Sequence, residues 1–259
     1  MPEYSYEQHF VAFLDILGFK EIINEAKTEE QAVETIQFFN EALLASREIF
    51  NKHWSWEVDE LTVKMFSDCI CVSVPAKHEN VDAFFKAITY VQTTFAYNRI
   101  MLRGGVTVGR HFINDDLIFG EALVEAYKLE MSTKHPHIAV SDKLREFIVP
   151  PESLEYGEDA EQQLRLNNAA HFQHAYVFKL RHDPVLFLDY LGFQPDENDP
   201  AGHIREHRDW IISGLEEHQG NAGVRPKFEW ARRYHNQWCS IFEKHRPDLD
   251  ELLIDESYV

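Results

Sequence analysis

Hydrophobic and polar positions along the first half of the chain follow two periods, which predict strands and helices in turn. Residues 10–19 are apolar apart from Asp15 and end at a Gly-Phe pair, as expected of a central strand that is covered on both faces. Residues 22–50 carry apolar side chains mostly at three- and four-residue steps. This spacing predicts one or two amphipathic helices with a possible break near Thr28.

The pattern then changes to short strands separated by helices. Segments 61–68 and 69–74 are strand-like and meet at a Ser-Asp pair, which predicts a hairpin. The further predicted elements are a helix at 84–95, a strand at 102–109 with glycines where another backbone approaches closely, a helix at 121–131, and strands at 112–113, 137–140 and 176–180. The order favours an α+β ferredoxin-like sandwich, a mostly antiparallel sheet with helices over one face.

The character of the sequence changes after residue 150. Residues 150–170 are polar and acidic, and 195–202 form a loop rich in Pro, Asp, Asn and Gly. Two late helices are predicted at 204–217 and 225–245, each with an apolar stripe that needs the core or a partner chain to cover it. We therefore expect one domain at residues 1–180 and a C-terminal helical extension at residues 181–259.

The charge balance narrows the class of partner. The chain has 25 Lys and Arg against 44 Asp and Glu, a formal net charge of −19. Such a surface repels polyanions, so we expect neither nucleic acid nor membrane as a main partner, and a phosphate-bearing substrate would need cations as intermediaries. The 44% of apolar residues is ample for a buried core.

The cysteines and the chain start favour a cytoplasmic protein. Cys69, Cys71 and Cys239 are three in number, and the first two lie on one strand face, so they cannot form a paired framework. The first residues lack a basic segment, and no apolar stretch approaches the roughly 18 residues that a membrane span requires.

Two aspartates are the leading candidates for chemistry. Asp15 lies in an apolar strand, where an ionised carboxylate needs a partner, and Asp68 lies at the turn of a hairpin that could lie beside that strand. Taken alone, Asp15 could simply cap the next helix. Together, two carboxylates from neighbouring strand ends favour a site for hard divalent cations.

Several ordered motifs over residues 8–180 support that hypothesis. They are Phe13-Leu-Asp15-Ile-Leu-Gly18-Phe19, Lys64-Met-Phe-Ser67-Asp68, Arg103-Gly-Gly-Val-Thr-Val-Gly109, Phe119-Gly120 and Ala126-Tyr-Lys128-Leu-Glu130. In this order they resemble the motifs of class III nucleotidyl cyclases, with Ser67 where that superfamily has glycine. Within the superfamily, the chain is most similar to the pyrimidine cyclases of bacterial antiphage systems, which make cyclic UMP or cyclic CMP after infection.

The resemblance implies a homodimeric cyclase that uses two divalent cations, Mn²⁺ or Mg²⁺, with UTP as the favoured substrate and CTP next. It implies that Asp15, Asp68 and the Ile16 carbonyl hold the metals. Gly18 and Phe19 would present backbone N–H groups to the triphosphate.

The remaining roles depend on positions that depart from the superfamily. Lys64 matches a base-contacting lysine, whereas the base-reading aspartate corresponds to Leu117, with Asp116 adjacent. The ribose-positioning asparagine corresponds to Val124. The arginine that stabilises the transferring phosphate corresponds to Lys128, which lacks the planar fork and could yield that role to Arg103.

Two alternatives stay open at this point. The departures at Leu117 and Val124 also permit a nucleotide-binding module without turnover. His203 and His207 have a spacing that can hold zinc, as do His171 and His174 more loosely, although solvent-facing histidines are the expected explanation.

Overall fold

The computed structural model describes residues 5–52, 61–148, 177–181, 183, 185–192, 199, 201–242 and 247–255. Its strands are β1 (Glu7–Ile16), β2 (Thr62–Phe66), β3 (Cys69–Pro75), β4 (Leu102–Ile113), β5 (Ile118–Gly120), β6 (Ile138–Val140), β7 (Val177–Lys179) and β8 (Leu186–Leu188). Its helices are α1 (Phe19–Glu25), α2 (Glu29–Lys52), α3 (Val81–Tyr97), α4 (Glu121–Ser132), α5 (Asp142–Ile148), α6 (Gly202–Glu217) and α7 (Arg225–Phe242). The predicted α+β architecture is confirmed.

All the described strands belong to one sheet. Their order is β2-β3-β1-β4-β6-β8-β7, and β5 pairs with β4 outside this path. The central strand β1 is antiparallel to both of its neighbours, and its residue Asp15 is paired with Cys69 of β3 and with Arg103 of β4. The pairing of β4 with β6 is parallel, which the crossover through α4 makes possible.

The two faces of β1 contact different helices. Phe10, Leu14 and Ile16 belong to the main core with α2 and α3, and the Phe10 ring lies 5.5 Å from that of Phe84. Val11 and Phe13 face α4, where the Phe13 ring lies 5.5 Å from the Tyr127 ring. The sequence predicted helices over one face of the sheet. This prediction was incomplete, because α4 covers part of the other face.

Glycines on β4 explain how α4 lies against the sheet. A Cβ at Gly105 would overlap the carbonyl oxygen of Ala126, and a Cβ at Gly109 would come within 3.3 Å of the Ala122 side chain. On the opposite face, a Cβ at Gly104 would lie 2.6 Å from the Phe13 carbonyl oxygen. The close approach predicted from these glycines is confirmed.

The helix break predicted near Thr28 is also confirmed, and it has a local cause. The backbone N–H of Gln31 donates to Thr28 Oγ1, and the Gln31 side chain accepts from the Thr28 N–H at 3.2 Å. This reciprocal arrangement is a capping box, which starts α2 afresh after α1.

The C-terminal helices join the sheet at its β8 side. Helices α6 and α7 form a second core with Phe187 of β8 and with the turn at residues 190–192. The predicted division at residue 180 lies between β7 and β8, which pair with each other. The polar segment 150–170 lies outside the described residues, as do 195–198 and 200 of the predicted loop 195–202, whose last residue, Gly202, begins α6. Among the described helices, none is both long and apolar enough to cross a membrane.

Candidate functional site

Side chains from four strands form one row across the sheet. The pairings of Phe66 with Cys69, of Cys69 with Asp15, and of Asp15 with Arg103 place these four residues side by side. Because alternate residues of a strand share a face, the row lies on the α4 side of the sheet, two residues along from Phe13. The row brings the predicted metal ligand Asp15 next to the start of β3, where the other predicted ligand lies.

The hairpin turn carries Asp68 to the end of β1. Ser67 has a φ of 55°, in the left-handed region, and this conformation completes the tight connection between β2 and β3. The Ile16 N–H donates to the Asp68 carbonyl at 2.8 Å and so ties the turn to β1. Potential ligand atoms of Asp15, Asp68 and Cys69 all lie within 4.8 Å of one another.

Arg103 bridges two carboxylates beside this cluster. Its Nη2 lies 2.9 Å from Asp15 Oδ2 and also contacts Glu130 Oε1, while Nη1 donates to the Thr133 carbonyl at 3.4 Å. Glu130 comes from α4 and is almost fully buried. The arginine is therefore committed to neighbouring protein acceptors rather than open for a ligand.

Burial and like charge together make the cluster receptive to cations. Burial raises the pKa of Asp15, and the Asp68 charge raises it further, against the lowering effect of Arg103. Burial likewise raises the pKa of Glu130. Ionising both Asp15 and Asp68 in this setting is therefore unfavourable unless a further cation joins Arg103, and a bound divalent cation would supply that charge.

Cys69 is a weaker candidate ligand than its position suggests. Burial, followed by the charge of Asp68, raises the pKa of the Cys69 thiol to about 12. Its Sγ lies 3.6 Å from Asp68 Oδ1, to which it can donate. The donors that fit a metal here are therefore the carboxylate oxygens, which suit Mg²⁺ or Mn²⁺.

Lys64 lies on the same sheet face, one row away from Asp15. Its pairing with Cys71, and that of Cys71 with Phe13, define this second row. Lys64 Nζ donates to the Asn114 carbonyl and lies 3.8 Å from Asp115 Oδ1.

Asp116, the candidate substrate-binding residue next to Leu117, lies in the same turn between β4 and β5. Its backbone N–H donates to Asn114 Oδ1 at 3.0 Å. The carboxylate that lies beside Lys64 belongs to Asp115, the preceding residue.

Gly18 and Phe19 start α1 directly after the row ends. Gly18 adopts a φ of 81°, which favours glycine, and precedes a helix of seven residues. The Phe19 ring stacks on Phe39 with 6.1 Å between centroids, so this partly buried side chain packs against the main core.

Lys128 lies apart from the row. It is exposed on α4, on the helix face that also carries the exposed side chains of Val124, Tyr127 and Met131. Ala126 and Glu130 occupy the opposite, buried face of the helix. Within one chain, then, the structure brings together Asp15, Asp68 and Arg103, and leaves Lys128 on an outer surface.

Two charged residues near the row received no role from the sequence. Glu130 ends the motif that begins at Ala126, but its pairing with Arg103 joins residues of α4 and β4. Lys227, on α7, interacts electrostatically with both Asp15 and Arg103. No local spacing in the sequence signals that a residue so late in the chain reaches this place.

The expectation that His203 and His207 face solvent is wrong, because both are buried. His203 Nε2 lies 3.0 Å from the Leu191 carbonyl. His207 Nε2 lies 2.8 Å from the Tyr190 hydroxyl, and its Nδ1 shares a hydrogen bond of 3.0 Å with His235. Both nitrogens of His207 are thus engaged, which leaves it no free ligand atom for zinc. His171 and His174 lie outside the described residues.

Comparison with known proteins finds distant structural likenesses only. No protein-family model and no curated protein matches the chain. Among solved structures, the catalytic core of a rhodopsin-guanylyl cyclase with converted specificity, in complex with ATPαS, has 20% identity and a TM-score of 0.42 over 56% of this chain and 82% of that chain. A bacterial light-regulated adenylyl cyclase has 15% identity and a TM-score of 0.41, and the match covers 56% of this chain and 46% of the adenylyl cyclase chain. An adenylate/guanylate cyclase/hydrolase from Silicibacter pomeroyi has 15% identity and a TM-score of 0.40 over 56% of this chain and 81% of that chain.

Proposed function

We propose that the protein is a pyrimidine nucleotide cyclase that converts UTP to 3′,5′-cyclic UMP and diphosphate. The observation that carries this proposal is the meeting of Asp15 and Asp68, whose ligand atoms lie within 4.8 Å at adjacent strand ends. The same two residues carry the motif resemblance to class III nucleotidyl cyclases. In the reaction, the 3′-oxygen bonds to the α-phosphorus and loses its proton, while the bond to the bridging oxygen breaks and diphosphate leaves.

Residues in the row and at its edge would have separate roles in this reaction. Two divalent cations, Mn²⁺ or Mg²⁺, would stabilise charge on the entering oxygen and on the departing phosphates. Asp15 and Asp68 would hold them, with the Ile16 carbonyl as a further ligand. Arg103 fixes the Asp15 carboxylate through its 2.9 Å contact and limits the repulsion between the acids.

A second copy of the chain would complete the site. Lys128 is the candidate for stabilising charge on the transferring phosphate, yet it is exposed on the outer face of α4. Val124, Tyr127 and Met131 expose apolar surface beside it. A homodimer that covers this face would remove the apolar area from water and bring Lys128 of one copy to the row of the other.

Base recognition falls to the Lys64 region. Lys64 and Asp115, 3.8 Å apart, supply one donor and one acceptor, with Asp116 next in sequence. UTP is the preferred substrate in this proposal and CTP is the alternative, since single hydrogen bonds separate uracil from cytosine. The similarity of the motifs to antiphage pyrimidine cyclases supports a role in antiviral defence, with the cyclic nucleotide as the signal.

The direct test is product formation from each of the four nucleoside triphosphates. Purified protein is incubated with Mn²⁺ and each triphosphate, and 3′,5′-cyclic products are measured by mass spectrometry. Cyclic UMP should form, and Asp15→Ala and Asp68→Ala should each abolish it without loss of folding. The matched control is Asp209→Ala, which removes an exposed carboxylate of α6. Absence of any cyclic product with the wild type would refute a cyclase.

A non-catalytic nucleotide-binding module is the alternative from another class. Arg103 is occupied by Asp15 and Glu130, and Leu117 and Val124 replace polar positions of the superfamily. This alternative predicts triphosphate binding by calorimetry with no release of diphosphate. Formation of cyclic CMP in place of cyclic UMP would instead change only the base.

A further inference from the structure

Helix α7 packs against the residues just before β6, which lie beside the strand that carries Arg103. The Trp230 ring is fully buried, with its centroid 5.1 Å from that of His137 and 6.0 Å from that of His135. The His137 carbonyl accepts a hydrogen bond of 3.0 Å from the Gly104 N–H, the residue next to Arg103. This chain of contacts fixes α7 against the residue that is hydrogen-bonded to the backbone next to Arg103.

Lys227 lies one helical turn before Trp230 and therefore on the same side of α7. Its side chain is half-buried. It interacts favourably with the carboxylates of Asp15 and Glu21 and unfavourably with Arg103. Since Glu21 is in the first turn of α1, Lys227 lies on the side of the row where α1 begins.

The charged groups around the row include more acids than bases, so an anionic substrate would need additional positive charge there. Asp15, Asp68 and Glu130 are opposed by Arg103, which contacts two of them. Lys64 is held at Asn114 and Asp115, in the next row on the same sheet face and three strands away from Arg103. A polyphosphate entering between the row and α1 would therefore meet a half-buried lysine supplied by α7.

We infer that Lys227 binds the β- and γ-phosphates of the nucleoside triphosphate, so that the C-terminal helical extension supplies part of the substrate site. This inference rests on the proposed function. On substrate entry, the phosphate oxygens would take over from Asp15 and Glu21 as the negative charges that the ammonium group faces.

A phosphate-binding lysine and a lysine in a structural ion pair can be distinguished by the ligands whose binding depends on them. A structural lysine would influence folding and all ligands alike. A lysine that contacts the β- and γ-phosphates affects only ligands that contain them. Nucleoside triphosphate and free diphosphate should therefore respond to its removal, and nucleoside monophosphate should not.

The test measures binding of UTP, diphosphate and UMP by calorimetry in the presence of Ca²⁺, with the triphosphate exchanged for the one that wild type turns over if that is not UTP. Lys227→Gln should weaken UTP and diphosphate binding about tenfold, the lower end expected for a hydrogen bond between charged groups, and leave UMP binding unchanged. Lys227→Arg keeps the cation and should restore most of the affinity. The control is Lys143→Gln, which breaks an exposed pair with Glu125 at 2.7 Å.

The outcomes separate this inference from the function on which it rests. The inference alone is overturned if the wild type binds UTP and forms cyclic product while Lys227→Gln protein binds each of the three ligands as tightly as the wild type does. An equal loss for UMP, or a fall in melting temperature that Lys227→Arg does not restore, also overturns it. Wild type that binds neither UTP nor diphosphate and forms no product overturns both.

Discussion

Replacing Arg103 by methionine should have opposite effects on folding and on metal binding. Arg103 contacts Asp15 at 2.9 Å and also contacts Glu130. Methionine fills a similar volume without charge. It therefore leaves the carboxylates of Asp15 and Glu130 close to each other and to Asp68 with no arginine between them. Stability should fall, whereas the affinity of the carboxylates for a cation should rise.

The size of the stability loss follows from the burial of the pair. Removing one partner of a buried ion pair costs about 3–5 kcal/mol. The side chains of Arg103, Asp15 and Glu130 are 23%, 19% and 3% exposed, so solvent screens part of this cost. We expect a loss of about 2–4 kcal/mol in metal-free protein, or roughly 5–15 °C in melting temperature.

Thermal unfolding at pH 7.5, in EDTA and in Mn²⁺, measures the first effect, and calorimetric titration with Mn²⁺ measures the second. Mn²⁺ should bind at least about tenfold more tightly to Arg103→Met protein and recover part of its lost stability. Arg110→Met is the control, because its pair with Glu121 spans 3.5 Å between side chains that are 56% and 47% exposed. That substitution should cost about 1 kcal/mol or less. Equal melting temperatures for the two variants in EDTA, or weaker Mn²⁺ binding by Arg103→Met, would refute the reasoning.

Three further predictions concern the turn, the sheet and pH. Ser67→Gly should stabilise the protein by about 0.5–1 kcal/mol in urea unfolding, because Ser67 has a φ of 55° that glycine adopts more easily; destabilisation would contradict this. Gly105→Ala should destabilise by about 3 kcal/mol or more, because its Cβ would overlap the Ala126 carbonyl, while Gly220→Ala, with open space around it, should be neutral; equal costs would contradict this. Burial lowers the pKa of His235 to about 4, so the unfolded state takes up a proton before the folded state does as the pH falls below 6.5. Between that pH and about pH 4, the wild type should lose roughly 1.4 kcal/mol of unfolding free energy per pH unit relative to His235→Gln. Urea midpoints of the two proteins that change in parallel across this range would contradict the prediction.

The parts of the site that sequence could predict are those set by local pattern. Asp15 interrupts an apolar strand and Asp68 occupies a two-residue turn, so each stands out against its neighbours. Their meeting follows once the hairpin lies beside β1, a single pairing decision. The helix break at Thr28 is likewise a property of a few adjacent residues, and the glycines of β4 indicate a close approach without showing which segment approaches.

The parts that sequence missed depend on contacts between distant segments. The pairing of Arg103 with Glu130 requires α4 to cross the sheet at Gly105, and the burial of His207 requires α6, α7 and the turn at Tyr190 to meet. Strands β6, β7 and β8 have three residues each, too few to show a period of two. Spacing along the chain contains none of this information.

The docking of α7 also sets an order of assembly on the ribosome. Asp15, Asp68 and Arg103 are synthesised well before Lys227, and a chain emerges from its N-terminal side. A nascent chain can therefore bring its acidic residues together while α7 is still inside the ribosome and His137 lacks its cover of Trp230. The full set of charged groups assembles only late in translation, so a prematurely released chain would carry the acids without the lysine that accompanies them in the folded protein.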